Sequence, residues 1–300
     1  MSKKQKNPYI ELLKPSILFH ALITFSIGFA LHQQTPFPFS ISYWMSLTGF
    51  ACLAGSGATL NHLLEIESDK KMTRTQLRPL ASGKITPLPA FLYALCLLSI
   101  GTLILLIQSN LWVLFLSLFT IFSYVVIYTP LKKITWFNTF IGAVPGALPP
   151  VCGWFAATGP LSWPVLIFFL IFYFWQLPHF FSIAWIYKDA YQNAGFKMLS
   201  GQDASGQKTA FQIIIHTVFL ILSSIALISS HLVGPIYALG ALILGLYYLG
   251  SGLRFYQNKS VDSAKKVLKA SIIYQPALLL CILIDLQKFP FLSLTILTNQ

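Results

Sequence analysis

From Val165 to Trp175 the chain reads Val-Leu-Ile-Phe-Phe-Leu-Ile-Phe-Tyr-Phe-Trp, and apolar runs of this kind recur along its length. Several reach the roughly 20 residues that an α-helix needs to cross the hydrocarbon core of a bilayer. Lipid offers no partner to a peptide N–H or C=O, so a spanning segment must be a helix or a strand of a closed barrel. Barrel strands would alternate apolar and polar residues over short segments. Here whole windows are apolar, which predicts an all-α fold, a polytopic membrane helical bundle. Nine spans can be drawn, at roughly 16–34, 41–63, 88–108, 111–129, 137–157, 164–186, 209–231, 233–253 and 268–288. Only 9% of the residues are charged, against about 25% in soluble domains. The chain, 1–300, therefore reads as a single membrane domain, with two long polar loops at about 64–87 and 187–208. Asn110 and Gly234-Pro235 supply tight turns between spans. Pro149-Pro150 and Pro178 fall inside spans and are expected to kink or break them.

The basic residues set the orientation. With the N-terminus in the cytoplasm, all of the 20 lysines and arginines except Lys288 fall on the cytoplasmic side. They lie in the N-terminal segment (Lys3, Lys4, Lys6, Lys14), in the loops after spans two, four and six, and in the loop and helix ends after span eight, the last group including Lys265, Lys266 and Lys269. Such one-sidedness is the positive-inside pattern. The net charge of +12 is then topology and attraction to anionic lipid, and nucleic-acid binding is excluded for want of a basic soluble domain. Residues 1–34 also resemble an export signal, but no small-x-small cleavage site follows Leu31, so the run is expected to stay as the first span. Cys52, Cys96, Cys152 and Cys281 are scattered through apolar segments without a CxxC pair and read as reduced core residues.

Charge gathered at the end of a membrane segment needs a reason. Asn61, Glu65 and Asp69 recur at four-residue spacing at the end of span two, which on a helix puts them on one face. Two carboxylates so placed repel unless a cation lies between them. Oxygen donors of this kind suit Mg²⁺, which takes one or two carboxylates and completes its shell with water and substrate phosphate. Glu67 points to the opposite face and reads as solvated. Arg74, Arg78 and Lys84 follow as a clamp for diphosphate oxygens. At the end of span six, Asp189 could hold or orient a second metal, with Lys188 beside it. The plain alternative for both clusters is a wet, charged loop. His179 sits within span six and either ligates a haem iron or hydrogen-bonds within the bundle; His20 and His216 read as buried polar contacts, and His62 as a neighbour of the metal ligands. Trp175, Phe180, Phe181 and Trp185 would form an aromatic wall, which is bundle core or a face suited to a carbocation.

Asn61-x-x-x-Glu65-x-x-x-Asp69 with Met72, Arg74-Thr75 and Arg78-Pro79-Leu80 resembles the first aspartate-rich motif of the UbiA-type intramembrane prenyltransferases. Met72-x-Arg74-Thr75-x-x-Arg78-Pro79-Leu80, followed by Gly83-Lys84-Ile85, resembles their haem-farnesylating branch. Tyr128-Thr129, Leu131-Lys132, Asn138, Gly142, Gly146, Pro149-Pro150 and Gly153-Trp154 fit the middle of that pattern. Trp175-x-x-Pro178-His179-Phe180 and Asp189-x-Tyr191 with Ala194-Gly195 and Met198-Leu199 fit its later part.

The resemblance implies transfer of the farnesyl group of farnesyl diphosphate to a vinyl group of haem b, with Mg²⁺ as cofactor, in a bacterial inner membrane. It implies Asn61, Glu65, Asp69 and Asp189 as catalytic metal ligands, Arg74, Arg78, Lys84 and Lys188 as diphosphate ligands, and His179 and Trp175 as haem contacts. Membrane lipid, haem A synthase and terminal-oxidase assembly factors are the further partners implied. Two departures stand out: Glu65 replaces the more usual Asp, and Ala190 stands where a second acid often follows Asp189, so a second metal would need Asn193 or Asp203. A related enzyme prenylating a quinone precursor, and a membrane transporter, are the competing readings.

Overall fold

The computed structural model describes residues 7–36, 40–108 and 111–288. Within them nine long helices follow the expected spans: α1 (Pro15–Gln33), α2 (Ile41–Leu64), α3 (Pro87–Ile107), α4 (Leu111–Leu131), α5 (Asn138–Ala156), α6 (Trp163–Ile186), α7 (Gln207–Ile228), α8 (Pro235–Gln257) and α9 (Val261–Lys288). Eight of them have the length and hydropathy to cross a membrane. The ninth is α2, whose second half is diluted with Gly, Ser, Thr, Asn and His. That same helix delivers the first polar cluster. Asn110, Lys3, Lys4 and Lys6 lie outside the described residues.

The last helix starts at Val261, directly after Asn258–Ser260 and ahead of the span expected at 268–288, so Lys265, Lys266 and Lys269 all ride on its first turns. Of the two outcomes expected for the prolines, the break does not occur: α5 continues through Pro145, Pro149 and Pro150, and α6 through Pro178. Neighbouring helices support those turns; 78% of the α5 apolar window is buried, against 22% for α3. Cys96 is exposed, whereas Cys152 is buried in the core as expected, and all four cysteines are unpaired.

Packing joins distant parts of the chain. Helix α1 lies on α5, α5 on α4 and α6, α6 on α7 and α9, and α9 touches α8 and returns to α1. Helix α2 packs against α3 and α4. The α1–α5 seam is close because of two glycines. A methyl group on Gly28 would lie 1.9 Å from the Pro150 carbonyl oxygen, and one on Gly153 would lie 1.8 Å from that of Phe25. Without a strong hydrophobic drive between helices in lipid, such small-residue contacts supply the packing.

Helix ends are held by two buried carboxylates. Asp285 of α9 accepts hydrogen bonds from the N–H groups of Gly234 (2.9 Å), Ile236 (3.2 Å) and Tyr237 (2.8 Å), which would otherwise be orphaned at the start of α8. Asp203 accepts from Thr209 N–H (2.8 Å) and Oγ1 (2.9 Å) in the first turn of α7. Asp203 is thus committed as a cap and not as a second metal ligand.

Gly153→Ala is expected to lower the unfolding midpoint in detergent by several degrees, corresponding to about 1–3 kcal/mol of overpacking. Gly250→Ala, where the added methyl meets nothing within 4 Å, should leave the midpoint unchanged or raise it slightly. Differential scanning fluorimetry of the two variants checks the pair.

Candidate active site

Helix α2 stops at Leu64 because Glu65 leaves helical geometry (φ −100°, ψ 5°), and a short helix, Ile66–Lys70, begins at once. Asn61, Glu65 and Asp69 therefore do not share one unbroken helix, as their spacing predicts. The bend keeps all three inside: Asn61 is fully buried, Glu65 is 5% exposed and Asp69 3%. Glu67 is exposed and pairs with Lys70 at 2.7 Å.

Each of the three buried oxygen donors is matched to one basic side chain. Lys14 Nζ donates to Asn61 Oδ1. Lys132 Nζ donates to Glu65 Oε1 at 2.6 Å. Arg78 Nη1 donates to both Asp69 oxygens at 2.9 Å and lies 3.9 Å from Glu65 Oε2, which ties the two carboxylates together. Asn61 spends its amide N–H on Thr129 Oγ1 (2.8 Å), so the amide oxygen faces Lys14. Helix α4 passes through a π-helical stretch at Ser123–Tyr128, a widening that recurs at functional sites. It brings in Tyr124 and Tyr128, stacked at 5.7 Å. Lys14 donates to Tyr124 OH at 3.1 Å, and Lys132 lies 4.4 Å above the Tyr128 ring. Gly142 of α5 admits that ring, since a Cβ there would stand 2.4 Å from it.

Lys14 is held in place from outside the membrane. It adopts the left-handed conformation (φ 51°) between the helix Pro8–Leu12 and α1, a strained geometry for a residue with a Cβ. Leu12 anchors it by packing with Leu80 and Ile85 of the first polar loop. Burial lowers the Lys14 ammonium to about 7, against partial support from Glu65. Burial pushes Glu65 up, but Lys132 and Lys14 outweigh it and hold the carboxyl down at about 2. For Lys132, burial acts against the charge, yet Tyr128 and Glu65 raise it above the ordinary lysine value.

Arg74 sits elsewhere. It is exposed, donates to Tyr191 OH at 3.3 Å and covers the Tyr187 ring at 5.1 Å, so it bridges to the second polar segment. Met72 reinforces that bridge by packing with Ala184, Ala194, Phe196 and Met198. Lys84 and Asp189 are exposed and, among the described residues, make no hydrogen bond or ion pair; Asn193 is exposed as well. Lys188 leans over Trp185 at 5.3 Å. His62 is buried with both ring nitrogens unbonded, its Nδ1 3.9 Å from Asp69 Oδ2.

Deeper in the bundle, Trp175 stacks with two imidazoles, His20 of α1 at 5.6 Å and His179 at 5.4 Å, both near-parallel to it. Its Nε1 donates to the Ser271 carbonyl at 2.8 Å. His179 Nδ1 lies 2.8 Å from Ser271 Oγ, which is itself 2.6 Å from the Leu268 carbonyl oxygen. The expected aromatic wall separates: Phe181 faces Phe140 and His216, and Trp185 meets Phe255. His216 bonds the Gln212 carbonyl.

Among the described residues no three His, Cys, Asp or Glu side chains converge as a metal set. Two carboxylates and an amide oxygen are nonetheless a fitting partial shell for Mg²⁺, which leaves room for phosphate and water. Their present partners are cationic nitrogens, so the site already favours positive charge beside those oxygens. Sequence reasoning missed Lys14 and Tyr124 as site members, with Lys14 read only as topology, and it named Thr129 and Lys132 as positions that fit the family pattern without giving them a role. Local composition does not separate Lys132 from its exposed neighbour Lys133.

The depressed Glu65 carboxyl gives a signed prediction. Its contribution to stability is present above about pH 4.5 and is lost as pH falls towards 2, on the order of 3 kcal/mol in all. Thermal melts of detergent-purified protein between pH 7 and pH 3 should show Glu65→Gln losing less stability than the wild type.

The UbiA prenyltransferase family model matches residues 21–273. A protein of Solibacter usitatus described as protoheme IX farnesyltransferase is 37% identical, over 92% of this chain and 98% of its own length. Among solved structures, one concerning digeranylgeranylglyceryl phosphate synthase superposes with a TM-score of 0.79 at 20% identity, covering 94% of this chain and 98% of its own. A UbiA homologue from Archaeoglobus fulgidus bound to GPP and Mg²⁺ superposes with a TM-score of 0.61 at 15% identity, covering 92% and 99%.

Proposed function

The chain belongs to the UbiA prenyltransferase family, and from that premise we propose that it joins a farnesyl group to a vinyl group of protoheme IX, giving haem O. It is a multi-pass membrane prenyltransferase. The observation that carries the acceptor is the likeness to the Solibacter protein along almost the whole of both chains. The diphosphate half rests on the buried Asn61, Glu65 and Asp69 with their matched basic partners.

In this reading Asn61, Glu65 and Asp69 hold Mg²⁺, and Asp189 contributes from the second segment. Mg²⁺, when bound, supplies charge neutralisation for the departing diphosphate. Arg78 and Arg74 grip the diphosphate oxygens, with Lys84 and Lys188 at the rim. The C1–O bond of farnesyl diphosphate breaks and its electron pair leaves with the diphosphate. The stacked Tyr124 and Tyr128 rings offer an electron-rich face to the allylic cation. The vinyl π pair then forms the new carbon–carbon bond. The cation left beside the macrocycle takes up water and loses a proton, which gives the hydroxyethylfarnesyl side chain. Trp175 and His179 contact the macrocycle. Apolar helix faces open to lipid accept the farnesyl tail, and the two polar segments, joined through Met72 and Arg74, exclude stray water from the cation.

The charge distribution supports an N-terminus in the cytoplasm of a bacterial cell, with the site facing inwards. The whole chain acts as one membrane domain, and haem A synthase and terminal-oxidase assembly factors are the protein partners this role calls for.

Purified protein incubated with haem b, farnesyl diphosphate and Mg²⁺ should yield haem O by mass. Glu65→Gln and Asp69→Asn should each lower the yield by roughly 100-fold or more while still inserting in the membrane. Unchanged yield in those variants refutes the metal assignment, and product on an aromatic quinone precursor but not on haem refutes the acceptor.

A further inference from the structure

The three basic side chains of the site outnumber its two carboxylates. Glu65 and Asp69 are both inside, and Lys14, Lys132 and Arg78 each sit on one expected metal-ligand group. No negative charge is left over to draw in a bare dication. A metal approaching Asn61, Glu65 and Asp69 alone would meet three basic side chains, each hydrogen-bonded to one of those prospective ligands in a largely buried site. Diphosphate changes the balance, because it offers the displaced lysines and arginine oxygens of their own. Its multiple charges are spread over two phosphates, so both the metal and the basic side chains can be matched at once.

On the strength of the function proposed above, we infer that Lys14, Lys132 and Arg78 are place-holders for the metal, which trade carboxylate and amide oxygens for diphosphate oxygens on binding. Metal and prenyl diphosphate consequently bind this protein as a unit, and each is a poor ligand without the other. Lys14 is the member that the loop motifs do not contain. It comes from the N-terminal segment, 47 positions before its partner Asn61, and its left-handed backbone and the Leu12 anchor hold it there in advance. Lys14 also has a neutral amide for its partner, so its removal leaves no carboxylate unpaired.

Removing a place-holder then has opposite effects on the two ligands. In full-length protein in detergent, Mn²⁺ binding is read by the electron paramagnetic resonance signal of the free ion, and inorganic diphosphate binding by calorimetry, each ligand alone. Lys14→Met should bind Mn²⁺ roughly tenfold more tightly than the wild type and diphosphate roughly tenfold more weakly, a size typical of coupled sites. Lys133→Met, an exposed neighbour of Lys132 with the same change in net charge, should alter neither. If Lys14→Met does not fold, Lys132→Gln is taken through the same two titrations with the same opposite signs expected. Weaker or unchanged Mn²⁺ binding in the variant, or an equal response in Lys133→Met, overturns the inference. Haem O formation by the wild type is scored separately, so the inference can fail while the proposed function stands. Failure of the wild type to bind diphosphate at all, with or without metal, strikes the functional reading itself.

Discussion

A polar side chain buried among membrane helices must find a partner, since an unmatched charge in a low-dielectric interior is far more costly than the same charge in water. The rest of this molecule is arranged around that requirement at one place. Asn61, Glu65 and Asp69 are matched by Lys14, Lys132 and Arg78, which come from the N-terminal segment, the end of α4 and the first polar loop. The matching ties three separate parts of the chain into one cluster. It also fixes which way each donor faces: Thr129 takes the Asn61 amide N–H and so turns its oxygen to Lys14. Breaking such a buried pair from one side leaves the other charge stranded, and the cluster is therefore scaffold and site at once.

Much of the surrounding architecture serves to bring those parts together. The α1–α5 seam depends on two glycines that let the backbones approach directly. The π-helical stretch of α4 carries the two tyrosines beside Lys14 and Lys132. Met72 and Arg74 fasten the first polar loop to the second. At the other end of the bundle Asp285 satisfies the start of α8 and takes no part in the site. The same type of residue thus does opposite work at the two ends. Asp285 is satisfied by backbone donors, whereas Glu65 and Asp69 are satisfied by the side chains of Lys132 and Arg78.

In the proposed reaction the carboxylate cluster with its basic partners serves the departure of the diphosphate, and the stacked rings of His20, Trp175 and His179 serve the flat acceptor. His179 Nδ1 is hydrogen-bonded with Ser271 Oγ within the bundle, and among the described residues its Nε2 makes no hydrogen bond.

The sequence alone determined the class of fold and the positions of the spans, because apolar run length against bilayer thickness is a one-dimensional quantity. It also picked out Asn61, Glu65 and Asp69, which the fold buries in one cluster, since four-residue spacing and a membrane-edge position can be read along a single segment. Only the tertiary structure decided which cations belong to that site. Lys14 and Lys132 carry the same local signature as lysines that merely obey topology, and their partners lie 47 and 67 positions away. It likewise decided that α2 bends at Glu65, that the prolines of α5 and α6 are absorbed without a break, and that Asp203 is a cap. Each of these is settled by what neighbouring helices donate or exclude, and a pairing between segments distant in sequence leaves no periodic trace in either one.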